Sequence, residues 1–343
     1  MVALAPALFV NHGGGPMPLL GDKDSIGLTK FLRDEVKKYV NLKELKAIIL
    51  VTAHWEEDKV TISSSEQHDL YFDYYGFPPE TYKYRYDAPG DPELAKRIHS
   101  ALTKAGIDSK LDPKRGWDHG VFVPMMLINP DADIPIIQVS VLSNQDPEQH
   151  YKIGQALYQF RKEGIAIFGS GMSYHNMREF RFSRNSGKVV NEEFDEFLNR
   201  ACTGTSTDEK RKELLTVWET QPGANEAHPP RAAEHLMPLI VVAGAGGANP
   251  AERVFNWDLA GNASAVPLVL QMFMGGGNYL TSGDPPARLL ETQPGVNEAP
   301  RAAEHLMPLI VVAGAGGANP AERVFNWDLA GSFRLSGFIW KNE

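Results

Sequence analysis

The chain has 343 residues and a formal net charge of −9 at pH 7. Its hydrophobic fraction of 43% and charged fraction of 22% are typical of a globular protein with a sizeable core, and they exclude a collagen, a coiled coil and a wholly disordered chain. The acidic balance without basic blocks argues against nucleic-acid binding, because neutralising phosphates requires clustered Lys and Arg.

Segments with the apolar pattern of a buried strand alternate along the chain with segments that have the apolar period of a helix. In chain order they predict a strand at 4–10, a helix at 25–40, strands at 45–52 and 59–64, helices at 91–105 and 120–128, a strand at 134–142, a helix at 146–162, a strand at 164–168, and helices at 191–201, 207–217 and 230–243. Asp24 or Ser25 is expected to cap the first helix. The alternation predicts an α/β fold, a three-layer sandwich around a mixed, largely parallel sheet, which binds ligands at the carboxyl ends of its strands.

Cysteine content and hydropathy indicate the compartment. Cys202 is the single cysteine, which excludes an intrachain disulfide and favours a reducing compartment. The apolar N-terminal segment lacks a basic flank and predicts a buried strand rather than a signal peptide. No apolar run reaches the roughly 18 residues that a membrane span needs. We therefore expect a soluble, cytoplasmic protein.

A near-identical repeat dominates the C-terminal part of the chain. Residues 219–261 recur as residues 291–331, and 40 of the 41 aligned positions are identical. Solenoid repeats usually differ more, so this repeat indicates a recent duplication or a gene-model error. Because one pocket cannot accept the same helix twice, only one copy is expected to take the native position.

Histidines follow several of the predicted strands. His12, His54 and His175 come where three buried strands end, and such ends meet at one edge of a sheet. His119 lies in a Trp-Asp-His-Gly sequence, and His235 is predicted on a helix. Each histidine taken alone is more often structural, but neutral imidazole is the commonest metal ligand and suits Fe(II) or Zn(II). Together they predict a metal site at this edge.

Other polar and aromatic groups allow two interpretations each. The Tyr-rich stretch at residues 69–86 predicts either a lid over an aromatic substrate or a loop that packs on the sheet. His99 and His150 lie in predicted helices, where we expect structural or solvated roles. Arg115 and Arg178 could pair with a substrate carboxylate, although surface roles are expected for both.

Short motifs carry a resemblance to a known family. They are Asn11-His12-Gly13, Ala53-His54-Trp55, Tyr75-Gly76-Phe77-Pro78 with Ala88-Pro89-Gly90, Asp118-His119-Gly120, Gly169-Ser170-Gly171 with His175-Asn176, and Glu234-His235 with Pro238-Leu239. In this order they resemble the class III extradiol ring-cleavage dioxygenases, in the branch of DOPA 4,5-dioxygenase-like proteins. The resemblance covers about residues 5–260 and the terminal strand at 333–340.

The resemblance implies a role for each matching side chain. His12, His54 and His235 would be the metal ligands, with His175 as the acid/base and His119 as a second catalytic histidine in the pocket. Glu234 is the competing third ligand, because more distant members of the class use a carboxylate there. Three further residues would contact substrate: Asp118, Tyr75 and His228.

The two repeat copies differ at one informative point. The first copy has His228-Pro229, as many relatives do shortly before the Glu-His motif, whereas the second copy has no such pair. This favours His235 over His305 as the third ligand, although the second copy leads directly into the terminal strand. We therefore expect a single catalytic domain at 1–261, a joining segment at 262–290, a duplicated copy at 291–331, and a terminal strand at 332–343 that belongs to the catalytic domain.

The expected activity is O2-dependent extradiol cleavage of a DOPA-like catechol to a muconic semialdehyde-type product. Fe(II) would support activity, and Zn(II) is a plausible bound metal. The expected partners are the aromatic substrate and O2, with no nucleic acid or membrane. Three alternatives stay open: a zinc hydrolase on the same scaffold, a metal-binding relative disabled by the duplication, and a ligand-binding module without metal.

Overall fold

A mixed sheet organises the computed structural model, which describes residues 4–177, 191–205, 207–258 and 334–340. Within these residues the sheet has eight strands in the order β4-β3-β5-β2-β6-β1-β8-β7. The strands are β1 (Ala7–Asn11), β2 (Ala47–Glu57), β3 (Val60–Ser63), β4 (Ser109–Asp112), β5 (Ile136–Leu142), β6 (Ile165–Gly171), β7 (Glu252–Asp258) and β8 (Arg334–Trp340).

Parallel pairing dominates the centre of the sheet. Strand β2 pairs in parallel with β5 and β6, and β6 pairs in parallel with β1. Strands β3 and β4 are parallel to each other, while β3 is antiparallel to β5 and β8 is antiparallel to β1 and β7. The predicted mixed, largely parallel sheet is therefore confirmed. The carboxyl ends of β1, β2, β5 and β6 meet at one edge.

Helices cover both faces of this sheet. They are α1 (Ile26–Lys30), a π-helical turn (Phe31–Glu35), α2 (Val36–Tyr39), α3 (Pro92–Lys104), α4 (His119–Ile128), α5 (Pro147–Arg161), α6 (Glu192–Thr203), α7 (Asp208–Leu215), α8 (Ala224–Ala227) and α9 (Met237–Gly244). Short 3-10 helices occur at Met17–Leu19, Lys23–Ser25, Leu42–Glu44, Pro79–Lys83 and Trp218–Thr220.

Alternating side chains of the central strands supply two cores. Ile48 and Leu50 of β2 pack with α4 and the helical region around α1, whereas Ile49 and Val51 pack with α3, α5 and α9. This division follows from the period of two along a strand, and it makes the three layers. No helix among the described residues is long and apolar enough to cross a membrane.

Three local predictions need correction. The helix predicted at 230–243 begins only at Met237, because Arg231 has a left-handed backbone (φ 65°) and Pro238 sets the first helical turn. His235 therefore lies in a turn before α9, not on a helix. Strand β2 runs on to Glu57 with an irregular register after Thr52. Ser25 is the N-cap residue of α1, as predicted, but its side chain makes no capping bond, and the capping carboxylate is that of Asp22, which accepts the Ser25 N–H at 3.0 Å at the preceding 3-10 turn.

The aromatic-rich stretch packs on the core. Tyr74 and Tyr86 are buried, and their hydroxyls donate to the carbonyl oxygens of Thr81 at 2.7 Å and Asn129 at 2.9 Å. These two rings match the interpretation as a loop packed on the sheet.

The first repeat copy contributes β7, which pairs with β8. Residues 259–333 lie outside the described residues, so the joining segment, the second copy and the boundaries at 261, 290 and 331 stay predictions.

Candidate metal centre

Three histidines meet at the carboxyl edge of the sheet. The register pairs Asn11 of β1 with Gly171 of β6, and Thr52 of β2 with Ser170. This register brings the residues after β1 level with the irregular end of β2, where a β-bulge can redirect a side chain.

Their ring nitrogens converge. His12 Nε2 lies 3.0 Å from His54 Nε2, which lies 3.3 Å from His235 Nε2. His12 and His235 are buried, and one nitrogen from each of the three rings lies within 4.8 Å of the others. The structure thus brings together the three side chains that the sequence predicted as ligands.

The opposite nitrogen of each ring is held by a protein group. The Ser170 hydroxyl donates to the Gly120 carbonyl oxygen, so its oxygen accepts the Nδ1–H of His12 at 3.0 Å. His235 Nδ1 lies 2.9 Å from Glu234 Oε1. These partners place the proton of each ring on Nδ1. The Nε2 atom is then unprotonated, and its lone pair is free to bind a metal.

His54 faces a carboxylate at a longer distance. Its Nδ1 lies 3.4 Å from Asp73 Oδ2, and an ionised carboxylate can only accept a hydrogen bond. With Nδ1 protonated in each ring, the three Nε2 lone pairs face one another.

This donor set fits a metal ion. Two imidazole nitrogens about 2.1 Å from one ion and about 90° apart are about 3.0 Å from each other. This is the distance between the Nε2 atoms of His12 and His54, and those of His54 and His235 are 3.3 Å apart. Burial, together with the neighbouring histidines, lowers the pKa of His12 and of His54 well below the ordinary value. Burial is also the main cause that lowers the pKa of His235 to about 4. All three rings are thus neutral, as ligation requires.

His119 lies beside this cluster at the start of α4. The centroids of the His119 and His54 rings are 3.9 Å apart, and His119 Nδ1 is 2.7 Å from Asp73 Oδ1. Burial opposes its positive charge, but the attraction and hydrogen bond of Asp73 outweigh it and raise the pKa of His119.

His175 lies on the opposite side, four residues after β6. Its ring stacks on His235 with centroids 3.5 Å apart and planes 21° apart. Its Nδ1 is 3.4 Å from Glu234 Oε1, and its backbone N–H donates to the Ala227 carbonyl oxygen at 2.9 Å. Burial opposes ionisation of Glu234, yet the hydrogen bonds from His175 and His235 hold the pKa of its carboxyl well below the ordinary value.

The three residues predicted to bind substrate lie in different settings. Asp118 is fully buried, and its two oxygens accept hydrogen bonds from Thr52 at 2.8 Å and Gln138 at 2.7 Å. Burial, with the nearby Asp73 charge, raises the pKa of Asp118 to about 6.

His228 is also fully buried and donates from Nε2 to the Ser173 carbonyl oxygen at 3.1 Å. Tyr75 is half-buried. Substrate contact stays a prediction for all three residues, and His305 and Arg178 lie outside the described residues.

Sequence reasoning missed the groups that orient the histidines. Asp73 lies in the aromatic-rich stretch, and Ser170 was part of a glycine motif without an assigned role. No spacing in the chain connects either residue to its partner, since His12 and Ser170 are 158 positions apart.

The expected surface role of Arg115 is wrong. Its guanidinium lies 4.6 Å from the Tyr71 ring centroid and 5.3 Å from that of Trp55, and it donates to the His54 carbonyl oxygen at 3.1 Å. Arg115 therefore stabilises the backbone that carries His54.

Comparison with known proteins identifies a matching family model. Residues 6–266 match the catalytic LigB subunit of aromatic ring-opening dioxygenase. The dioxygenase tasH of Hapsidospora irregularis is 46% identical over 255 residues, which are 71% of this chain and 79% of that protein. The 4,5-DOPA dioxygenase extradiol of Beta vulgaris is 40% identical over 254 residues, which are 73% of this chain and 91% of that protein.

A bacterial relative and a solved structure agree with these matches. The 4,5-DOPA dioxygenase extradiol of Escherichia coli K12 is 32% identical over 242 residues, which are 70% of this chain and 84% of that protein. The crystal structure of an uncharacterised protein from Escherichia coli K12 aligns with a TM-score of 0.58 at 29% identity, covering 74% of this chain and 94% of that one. The predicted α/β architecture is thus shared with a solved structure.

Proposed function

Because the chain belongs to the family of catalytic LigB subunits of aromatic ring-opening dioxygenases and is an extradiol ring-opening dioxygenase, we propose that it cleaves a DOPA-like catechol at the His12, His54 and His235 centre. The proposed product is of the muconic semialdehyde type. The observation that carries this proposal is the convergence of three Nε2 atoms. His12 and His235 are oriented by hydrogen bonds at Nδ1, and Asp73 Oδ2 lies 3.4 Å from His54 Nδ1.

The family is metal-dependent, and Fe(II) is the metal we propose. Fe(II) would supply the redox chemistry with O2 and would acidify the catechol hydroxyls. Three neutral imidazoles leave the full charge of the ion uncompensated by its ligands, which favours an anionic catecholate. Zn(II) fits the same nitrogens, so zinc occupancy alone would not indicate activity.

His235 is preferred to Glu234 as the third ligand. Glu234 Oε1 is hydrogen-bonded to His235 Nδ1 and lies 3.4 Å from His175 Nδ1, so the carboxylate orients two rings. The His235 Nε2 faces His54 instead. Whether His305 of the second copy replaces His235 in some molecules stays a prediction to be tested.

His175 is the proposed acid/base. It stacks on His235, beside the ring nitrogens that would hold the metal, and Glu234 can stabilise its charged form. In this position it would take a catechol proton as substrate binds, and it would return a proton as the ring opens. His119 is the second proposed pocket histidine, held by Asp73 on the other side of His54.

The test is anaerobic reconstitution of the purified full-length chain with Fe(II), followed by O2 uptake and near-ultraviolet absorbance over a catechol panel that includes DOPA and protocatechuate. We expect stoichiometric O2 uptake with a yellow ring-opened product. Zn(II)-loaded protein is expected to show none. His175→Ala is expected to keep its metal and to lose roughly 10²–10⁴-fold in rate. No uptake with any catechol by a folded, iron-occupied chain would refute the proposal.

A further inference from the structure

One carboxylate connects two histidines with different tasks. Asp73 is nearly buried, with 6% of its side chain exposed. Its Oδ1 accepts from the His119 backbone N–H at 2.9 Å and from the ring Nδ1–H at 2.7 Å, while its Oδ2 lies 3.4 Å from His54 Nδ1. We propose that Asp73 is a positioning residue that sets the tautomer and orientation of His54 and His119 together, an inference that rests on the proposed function.

The chain holds Asp73 in place through backbone contacts around Gly116. The Trp117 N–H donates to the Asp69 carbonyl oxygen at 2.9 Å, just before α4 begins. A Cβ at Gly116 would lie 2.8 Å from that same oxygen, so only glycine permits this approach. The segment at 69–73 is thereby fixed beside the first turn of α4.

Asp73 also caps the first turn of α4, which the side chain of the N-cap residue Asp118 does not do. Asp118 is the N-cap residue of α4, but it makes no side-chain cap bond, because its oxygens bind Thr52 and Gln138. The first N–H of the helix, that of His119, is satisfied by Asp73 instead. The position of the carboxylate is therefore determined by helix capping as well as by the two rings.

An ionised carboxylate offers only acceptors, so a ring nitrogen that faces it presents an N–H. His119 Nδ1 does so in a hydrogen bond at 2.7 Å, and we infer the same proton position for His54, whose Nδ1 faces Oδ2 at 3.4 Å. For His54 this leaves Nε2 unprotonated, and that nitrogen faces His12 and His235. An amide at position 73 would break this arrangement. The two N–H groups of His119 would take the amide oxygen, the NH2 group would face His54, and His54 would have to move its proton to Nε2.

The opposite side of the cluster repeats the arrangement. Glu234 Oε1 lies 2.9 Å from His235 Nδ1 and 3.4 Å from His175 Nδ1. Each carboxylate therefore couples one histidine that faces the proposed metal to one pocket histidine. Two separate chain segments build the same pattern, which supports a positioning function for Asp73 rather than a chance contact.

Metal affinity measures this role without turnover. Zn(II) and Co(II) binding by the full-length apoprotein would be compared by chelator competition for wild type, Asp73→Asn and Asp69→Asn. Asp69 is exposed on the same segment, so its variant makes the same charge change without replacing a group that contacts the clustered histidines.

We expect Asp73→Asn to bind both ions about 10–100-fold more weakly, Asp69→Asn to bind as wild type, and Asp73→Glu to recover most of the loss. Wild-type affinity in Asp73→Asn would overturn the inference.

A second measurement does not depend on the variant folding. Ring 15N spectra of the histidines in metal-free wild-type protein should show His54 with its proton on Nδ1, and a proton on Nε2 would overturn the inference. If a folded wild-type chain bound neither ion, the proposed function would fail. The tautomer would still decide the role of Asp73.

Discussion

The chemistry of a histidine in this chain depends on the group bonded at its second ring nitrogen. His12 and His235 carry a proton acceptor at Nδ1 and present Nε2 to the cluster. His99 contacts the Ser109 hydroxyl at 2.8 Å, and His150 is buried between backbone groups, so the structural roles expected for these two are confirmed.

His150 makes a testable contribution to acid stability. Its Nε2 accepts the Leu142 N–H at 2.9 Å, and its Nδ1–H donates to the Asp146 carbonyl oxygen at 2.6 Å, which requires a neutral ring. Burial lowers the pKa of His150 to about 4. Since the unfolded ring has a pKa near 6.5, the unfolded state binds the proton first as pH falls from about 6.5 to 4, and stability is lost over that window.

We expect the titration of His150 to lower the free energy of unfolding by about 2 kcal/mol at pH 5 relative to pH 7.5. His150→Gln keeps a side-chain acceptor but does not titrate, so its urea midpoint should fall less between these two pH values than that of wild type. The same replacement of another histidine in a helix, His99→Gln, is the control, and its urea midpoint should fall as much as that of wild type. An equal fall in all three proteins would contradict the assignment.

At the scale of elements, the end of β6 positions the turn that carries His235. The Met172 N–H donates to the His235 carbonyl oxygen at 2.9 Å. A Cβ at Gly171 would lie well inside contact distance of that oxygen, and a Cβ at Gly169 would lie 2.6 Å from the Pro238 carbonyl oxygen. The two glycines of the Gly-Ser-Gly motif are therefore required by close backbone approach.

Gly171→Ala is expected to push this turn away from the sheet edge. Overpacking of this kind costs about 1–3 kcal/mol, so the denaturation midpoint should fall, and Zn(II) affinity should fall with it because His235 moves. Gly14→Ala is the matched control, since its Cβ would only reach ordinary contact with Met17 Sδ at 3.4 Å. Unchanged metal affinity in Gly171→Ala would show that the turn is not held in this way.

At the scale of the whole molecule, the last strand completes the sheet beside the first. Strand β8 lies between β1 and β7, and the register pairs Arg334 with Asp258 at the end of β7. Two strands in this register are the arms of an antiparallel hairpin. The strands therefore need only a short connection, although residues 259–333 separate them along the chain.

Removing residues 262–331 tests the predicted domain organisation. The shortened chain has 273 residues and joins β7 to β8 through five residues, 259–261 and 332–333, which is an ordinary hairpin loop length. We expect the shortened chain to have the same melting temperature and the same Zn(II) affinity as the full-length chain. Because this variant has no His305, retained metal binding would show that His235 suffices.

The reciprocal deletion of residues 219–290 is the control. It keeps the second copy in 271 residues but lacks a counterpart of His228, whose Nε2 donates to the Ser173 carbonyl oxygen. We expect lower stability for this variant. Full metal binding here, with loss in the first deletion, would assign the site to His305 instead.

Local patterns were sufficient for the architecture. Among the described residues up to 217 the predicted strands and helices are observed, because strand and helix periods and the caps at Asp91 and Asp146 act over a few neighbouring residues. The short strand β4 was not predicted. The prediction failed at 230–236, where Pro230 and the left-handed Arg231 override an apolar pattern.

The sequence by itself determined the sheet class, the family motifs, most of the order of elements and the placement of His12, His54 and His175 after buried strands, but not strands β4 and β7. Only the tertiary structure decided which partner holds each ring. Asp73 and His119 lie 46 positions apart, and His12 and Ser170 lie 158 apart. The physical reason is that a proton on Nδ1 is assigned by a contact across the sheet edge, which depends on strand register and on the loops packed against α4, and no local pattern in the chain encodes that contact.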